Sequence, residues 1–171
     1  MRSDNLNLFM ESGATFSSCR KYRYRLWRHW ENAGKPMITW ILLNPSTADE
    51  IVNDPTVERC ERRARKMGYG GMELVNIFAY RSTDPVVMKQ QEDPIGSDND
   101  TAIVEAAQLS GLVVCAWGTH GAHLERGKEV AALLRRNGIA LHCLTETASG
   151  HPGHPLYVGY DVLPKPFGGL L

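Results

Sequence analysis

The chain has no CxxC pair: its four cysteines, Cys19, Cys60, Cys115 and Cys143, are scattered over 171 residues. Zinc and iron–sulfur ligands normally come in close pairs, so neither kind of site is expected. Cys60, Cys115 and Cys143 stand among apolar neighbours and read as small buried residues of a reducing compartment. Net charge is also missing. Nineteen Lys and Arg offset nineteen Asp and Glu, which argues against a protein that coats nucleic acid by bulk electrostatics yet leaves room for a local basic face. No run reaches the roughly 18 apolar residues of a membrane span, and the opening MRSDNLNLFMESG lacks the apolar core of a signal peptide. A cytoplasmic location without a membrane partner is the expectation. Repeats, low-complexity tracts and HxxEH-type metal spacing are lacking too.

What is present suits one α/β domain. Hydrophobic residues make up 43% and charged residues 22%, and a chain this long buries roughly 70% of its unfolded surface. Residues 1–13 read as a flexible arm and 14–171 as the domain. In Arg20–Trp30, Tyr22, Tyr24 and Leu26 alternate with Lys21, Arg23 and Arg25, the period of a half-buried strand. Asn32 to Pro36 reads as a turn. Three apolar runs, Ile38–Leu43, Met72–Phe78 and Leu112–Trp117, predict strands buried on both faces, and Ile139–Leu144 predicts a fourth. Helices are expected between them: one capped by Asp54 with Pro55 at its first position and Gly68 at its end, one from Ser97 or Asp98 to about Leu109, one from Gly121 or Ala122 to Arg136. Arg59, Arg62, Arg63 and Lys66 should lie largely outside. The alternation of strands and helices predicts a three-layer α/β/α fold with a four-stranded, mainly parallel sheet and an N-terminal antiparallel edge strand.

Polar and small residues follow each parallel strand. Asn44-Pro45-Ser46-Thr47 comes after the first, Trp117-Gly118-Thr119-His120 marks the end of the third, and His151-Pro152-Gly153-His154-Pro155 comes soon after the fourth. Asn76 lies near the C-terminal end of the second. Strands of one direction gather these groups on one rim, where open α/β sheets bind ligands. Each has a plain structural reading as well. Asn44-Pro45 makes a turn, Asp54 a helix cap and Asn76 a satisfied core amide. Trp117 suits packing, Gly118 allows close backbone approach, and His120 and His123 suit solvent.

Several ordered motifs resemble a bacterial and phage family, domain-of-unknown-function family 1643. They are Leu43 to Asp49, Asn53-Asp54-Pro55-Thr56, Val75 to Arg81, Asp93-Pro94-Ile95-Gly96 with Asn99-Asp100, Ala116-Trp117-Gly118 and His154-Pro155-Leu156-Tyr157. A more distant similarity is to the uracil-DNA glycosylase superfamily. That superfamily carries Gly-Gln-Asp-Pro or Gly-Ile-Asn-Pro after its first core strand, then Leu-Leu-Asn, Trp-Gly and His-Pro-Ser-Pro-Leu. Here Leu42-Leu43-Asn44-Pro45, Leu74-Val75-Asn76, Trp117-Gly118 and His154-Pro155-Leu156 stand in the same order.

The resemblance implies a uracil-DNA-glycosylase-like fold and N-glycosidic bond hydrolysis that requires no metal and no cofactor. By it, Asn44 positions the attacking water, Asn76 reads a base edge and His154 steadies the departing base. Phe78, Tyr80 or Tyr157 would stack in place of a missing pocket aromatic, and Pro45, Ser46, Trp117, Gly118 and His151 would line the pocket. Asp49 or Asp54 could supply a carboxylate, and Arg23 and Arg25 could contact phosphates of a nucleic acid or nucleotide substrate. Two other readings use the same residues. One is a binding module for a base, nucleotide or nucleic acid without turnover. The other is a metal-dependent hydrolase built on His120, His123, His151, His154 and Asp49 or Asp54.

Overall fold

A computed structural model describes residues 11–31 and 34–171. Seven strands form one sheet: β1 Glu11–Phe16, β2 Arg23–His29, β3 Met37–Leu42, β4 Gly71–Asn76, β5 Leu112–Cys115, β6 His142–Cys143 and β7 Lys165–Pro166. Their spatial order is β1-β2-β4-β3-β5-β6-β7. The four apolar runs of the sequence make its parallel centre, β4-β3-β5-β6. β2 is antiparallel to β4, as expected of the Tyr/Arg strand, but it is not the edge. Glu11–Phe16 pairs outside it as β1. Residues 11–13, expected in the arm, therefore belong to the sheet; residues 1–10 and part of the Asn32–Pro36 turn lie outside the described residues.

Helices cover both faces because the strands are apolar on both. Ile38, Trp40, Leu42, Met72 and Leu74 pack with Val57, Cys60 and Ala64 of α1 (Pro55–Lys66) on one face. On the other, Ile41, Val75, Val113 and Cys115 pack with α3 (Asn99–Gln108) and α4 (Arg126–Arg136). A short α2, Pro85–Lys89, capped by Asp84, was not legible as a helix. α1 starts and stops as its sequence dictates. Asp54 accepts a hydrogen bond from Val57 N, and at Gly68 (φ 86°) the Gly68 and Tyr69 amides donate to Arg65 O and Ala64 O. Arg63 departs from expectation: it is buried and donates to the carbonyls of Val158, Gly159 and Val162.

Three further differences have local causes. The predicted third helix begins only at Arg126, because residues 119–125 form tight turns broken at His123 and Leu124. There the Trp117 indole lies against Gly121 and Gly127, leaving no space for a Cβ. The last parallel strand shrinks from Ile139–Leu144 to His142–Cys143, since Ile139 N is spent on Leu134 O in the cap of α4. Lys165–Pro166 adds a strand that proline concealed, which a sheet edge permits.

A β-bulge has the largest consequence for the site. Thr15 pairs with Arg25 and Phe16 with Arg23, so Tyr24 is the extra residue of β2. Beyond it the alternation changes phase. Arg23, expected on the face opposite Leu26, joins Leu26 on the α1 side, while Tyr24 packs with Ala79 and Ala102 on the other.

Candidate functional site

The rim expected from the strand order is real and concave. A cavity of about 570 Å³ opens at the C-terminal ends of the parallel strands. Its walls come from Leu43, Asn44 and Ser46 after β3, Ser82 and Thr83 after β4, and Trp117 to His120 after β5. The segment after β6 adds Thr147, His154 and Tyr157, and Asp54 and Thr56 close it at the start of α1. β3 and β5 lie side by side, and their following segments leave toward opposite faces, which opens a crevice there. Sharing Asn44, Ser46, Asp54, Thr56 and His154 with this cavity is a small chamber of about 30 Å³ lined also by Arg23, Pro45 and Asn76, among others. Asn44, Asn76 and His154, distant in sequence, thus share one space.

Backbone register sets this convergence. Leu42 pairs with Asn76, and the ladder continues as Ile77 N donates to Leu42 O and Phe78 N to Leu43 O. Asn44 follows immediately. Its Nδ2 donates to Ser82 O at 2.8 Å and Pro45 O at 3.2 Å, tying the segment after β3 to that after β4. Its Oδ1 is the end left for a ligand. Asn76 is 1% exposed; Asn99 Nδ2 donates to its backbone carbonyl, and Arg23 Nη2 donates to its Oδ1 at 3.4 Å. Asn76 Nδ2 is buried without a partner.

His154 Nδ1 accepts from Leu156 N at 3.3 Å, which places the proton of a neutral ring on Nε2. Burial lowers its pKa from the ordinary 6.5, and the Asp54 charge opposes that shift. Asp54 is both cap and brace. Oδ1 accepts from Val57 N at 2.9 Å and Oδ2 from Ala48 N at 3.3 Å, which fixes the 44–54 loop. Of the two carboxylates considered from sequence, only Asp54 lines the cavity; Asp49 accepts from Ile51 N and Val52 N in its own turn.

Other residues take different places. Pro45 and Ser46 line the site, with Pro45 O accepting from Ser82 N. Gly118, at φ 74°, lines the cavity and lets the chain pass close to His154. Trp117 reaches the wall but is 1% exposed and belongs to the core; its Nε1 donates to His151 Nδ1 at 3.2 Å. His151 is buried support for Trp117, and burial lowers its pKa. Phe78 is buried beside His123 and does not line the cavity. Tyr157, 88% exposed at the mouth beside His154, is the aromatic free to meet a ligand.

The arginines expected at phosphates are engaged elsewhere. Arg25 pairs with Glu73, whose pKa burial pushes up, and Arg23 donates to Ala48 O and Asn76 Oδ1. Among the described residues, no three His, Cys, Asp or Glu side chains are placed to hold a metal ion. His120 and His154 line the cavity, while His123, His151 and Asp49 do not. Sequence reasoning also passed over Ser82, Thr83 and Thr147. The polar Ser82-Thr83 pair between β4 and the Asp84-Pro85 helix start carried the signal that could have found two of them.

Among the described residues, no helix is long and apolar enough to cross a membrane. No curated protein and no solved structure matches the chain. Residues 23–156, which contain all of β2 through α4 and the Asn44, Asn76 and His154 positions, match the family Protein of unknown function (DUF1643), and the chain belongs to that family.

Proposed function

We propose that the chain is a nucleobase-recognising hydrolase of the N-glycosidase type, with a uracil-DNA-glycosylase-like arrangement of its site. Its substrate is a base in DNA, a nucleotide or a modified nucleoside. The observation that carries the reading is the shared chamber: Asn44, Asn76 and His154 line one small space that shares Asn44, Ser46, Asp54, Thr56 and His154 with the larger cavity. A cavity of about 570 Å³ is within the range of small-molecule sites.

Each group has a defined chemical task. Cleaving an N-glycosidic bond leaves negative charge on the departing base and positive character on the sugar. His154, held neutral by burial and by its Nδ1 contact, offers Nε2–H to the developing anion without a proton-transfer step. Asn44 Oδ1 accepts a hydrogen bond from water, and the two bonds at Nδ2 fix its direction. Asp54 places a carboxylate on the cavity wall, where it favours an oxocarbenium-like sugar. Tyr157 offers a stacking surface at the mouth.

One observation favours a module that binds a base without turnover. Both Asp54 oxygens accept from backbone amides, so the cavity has a fixed charge there and no uncommitted general base. The discriminating measurement is release of free base from a panel of modified-base oligonucleotides, nucleotides and nucleosides. Release that disappears in Asn44→Ala and His154→Ala supports the hydrolase. Tight binding with no release across the panel supports the module, and neither binding nor release removes both.

A further inference from the structure

Polar groups of both kinds line the small chamber, and neither kind is fully served. On the donor side, Arg23 is 2% exposed and Asn76 1%, and Arg23 Nε and Asn76 Nδ2 have no acceptor. Because Arg23 donates to Asn76 Oδ1, at 3.4 Å, the amide has only Nδ2 left to offer. On the acceptor side stands Asp54, 8% exposed. Its carboxylate has about four lone-pair directions and meets two backbone amides, that of Ala48 at a long 3.3 Å. Among the described residues neither Arg23 nor Asp54 makes an ion pair. Each lies within electrostatic range of the other: burial lowers the Arg23 pKa to about 10, and the Asp54 charge opposes that shift. Arg63 also leaves Nε unmatched, yet three carbonyls share its charge and it lines neither cavity.

Buried donors without acceptors are costly and uncommon, and so is a buried carboxylate without a cation. One group serves all three residues only if it donates to Asp54 and accepts from Arg23 and Asn76. A hydroxyl does both, whereas a carbonyl oxygen only accepts and the amino group of a base only donates. The chamber's volume, about 30 Å³, suits one group of that size and excludes a ring. Asn44, Asp54 and His154 line both the chamber and the larger cavity, and in the reading above they surround the bond to be cut. On a nucleoside, the hydroxyl nearest that bond is the 2′-hydroxyl of a ribose.

We infer that the small chamber binds the 2′-hydroxyl of a ribose, with Asp54 accepting its hydrogen bond and Arg23 and Asn76 donating to its oxygen. The site therefore takes ribonucleosides or ribonucleotides in preference to their 2′-deoxy counterparts. The inference rests on the reading of the cavity as an N-glycosidase site and adds which sugar that site selects. A 2′-deoxy sugar leaves the three side chains unmatched or served by one water, and loses affinity. The bulge at Tyr24 brings Arg23 to the α1 side, where Asp54 caps that helix.

Equilibrium binding of uridine against 2′-deoxyuridine, and of inosine against 2′-deoxyinosine, tests the selection. Wild-type protein is expected to favour the ribose member of each pair by about tenfold or more. 2′-O-Methyluridine cannot donate and carries a methyl group that the chamber has no volume for, so it is expected to bind no better than 2′-deoxyuridine. Arg23→Met removes a donor from the chamber and Asp54→Ser its acceptor, serine keeping a cap for α1. Each variant is expected to lose most of the preference. Equal wild-type affinity for both members, 2′-O-methyluridine bound as tightly as uridine, or a preference retained by either folded variant overturns the inference and leaves the nucleobase reading standing. Release of base from DNA with none from ribosides does the same. If no nucleoside binds, the nucleobase reading falls, and ribose against 2-deoxyribose decides the chamber: a preference for ribose supports it, and equal or absent binding overturns it.

Discussion

His154 and Asn44 show how a side chain's backbone contacts decide what chemistry it has left. His154 Nδ1 accepts from Leu156 N, and Asn44 Nδ2 donates to Ser82 O and Pro45 O. One is left a donor, the other an acceptor, in the lining of the same chamber. If His154 steadies the departing base, His154→Ala lowers kcat by about 10²-fold, in the range of removing one donor from an anion site. Asn44→Ala is expected to cost far more in turnover than in melting temperature, and a matched loss of both would assign Asn44 to structure alone. Burial lowers the His154 pKa from 6.5. The neutral donor form therefore persists at neutral pH, and the rate should fall only as acidification passes that lowered value. A pH–rate profile whose acid limb has its midpoint below pH 6.5 meets this expectation; a midpoint at or above pH 6.5 refutes it.

At the scale of elements, α1 is the scaffold of the site rather than a surface helix. Its cap braces the 44–54 loop, and its arginines hold the segment that carries His154 and Tyr157. Arg59 donates to Pro155 O and Val158 O, and Arg63 to Val158 O, Gly159 O and Val162 O. These bonds serve the carbonyls of Val158, Gly159 and Val162 in a stretch that belongs to no strand or helix. Arg63→Ala removes a buried charged donor from three carbonyls and is expected to cost about 2–4 kcal/mol. Urea unfolding checks the loss. Arg59 is more exposed, and Arg59→Ala should loosen the His154 segment with a smaller change in stability, seen as faster amide exchange at Leu156 to Val158.

For the whole molecule, acid is the expected weakness. His151 and His154 both have pKa values pushed below 6.5 by burial. The unfolded chain binds those protons more readily, so their contribution to stability is complete above pH 6.5 and is lost as pH falls through the lowered values. Urea midpoints that are level from pH 7.5 to 6.5 and decline toward pH 5 fit this. Midpoints that rise toward pH 5 exclude it. His154→Gln, which keeps an amide donor without a titrating ring, should flatten part of the decline.

The parallel core, its main crossover helices and the rim were legible because local patterns carry them: apolar runs, the Asp54-Pro55 cap and Gly68 at a helix end. Asn44, Asn76, Trp117-Gly118 and His154 lie at or after the ends of β3, β4, β5 and β6 in that order, as expected. What each side chain does there was another matter. Trp117 and His151 went to the core through contacts with Gly121, Gly127 and each other, and Phe78 was buried beside His123. Strand alternation also misplaced Arg23, because it assumes an unbroken pleat. Whether a strand bulges depends on its pairing with another, here Glu11–Phe16, and pairing is a relation between segments that neither contains alone. The sequence by itself determined the four parallel strands, the helices that cross between them and which edge of the sheet is polar. Only the tertiary structure decided which polar groups have spent their hydrogen bonds, and hence which remain for a ligand.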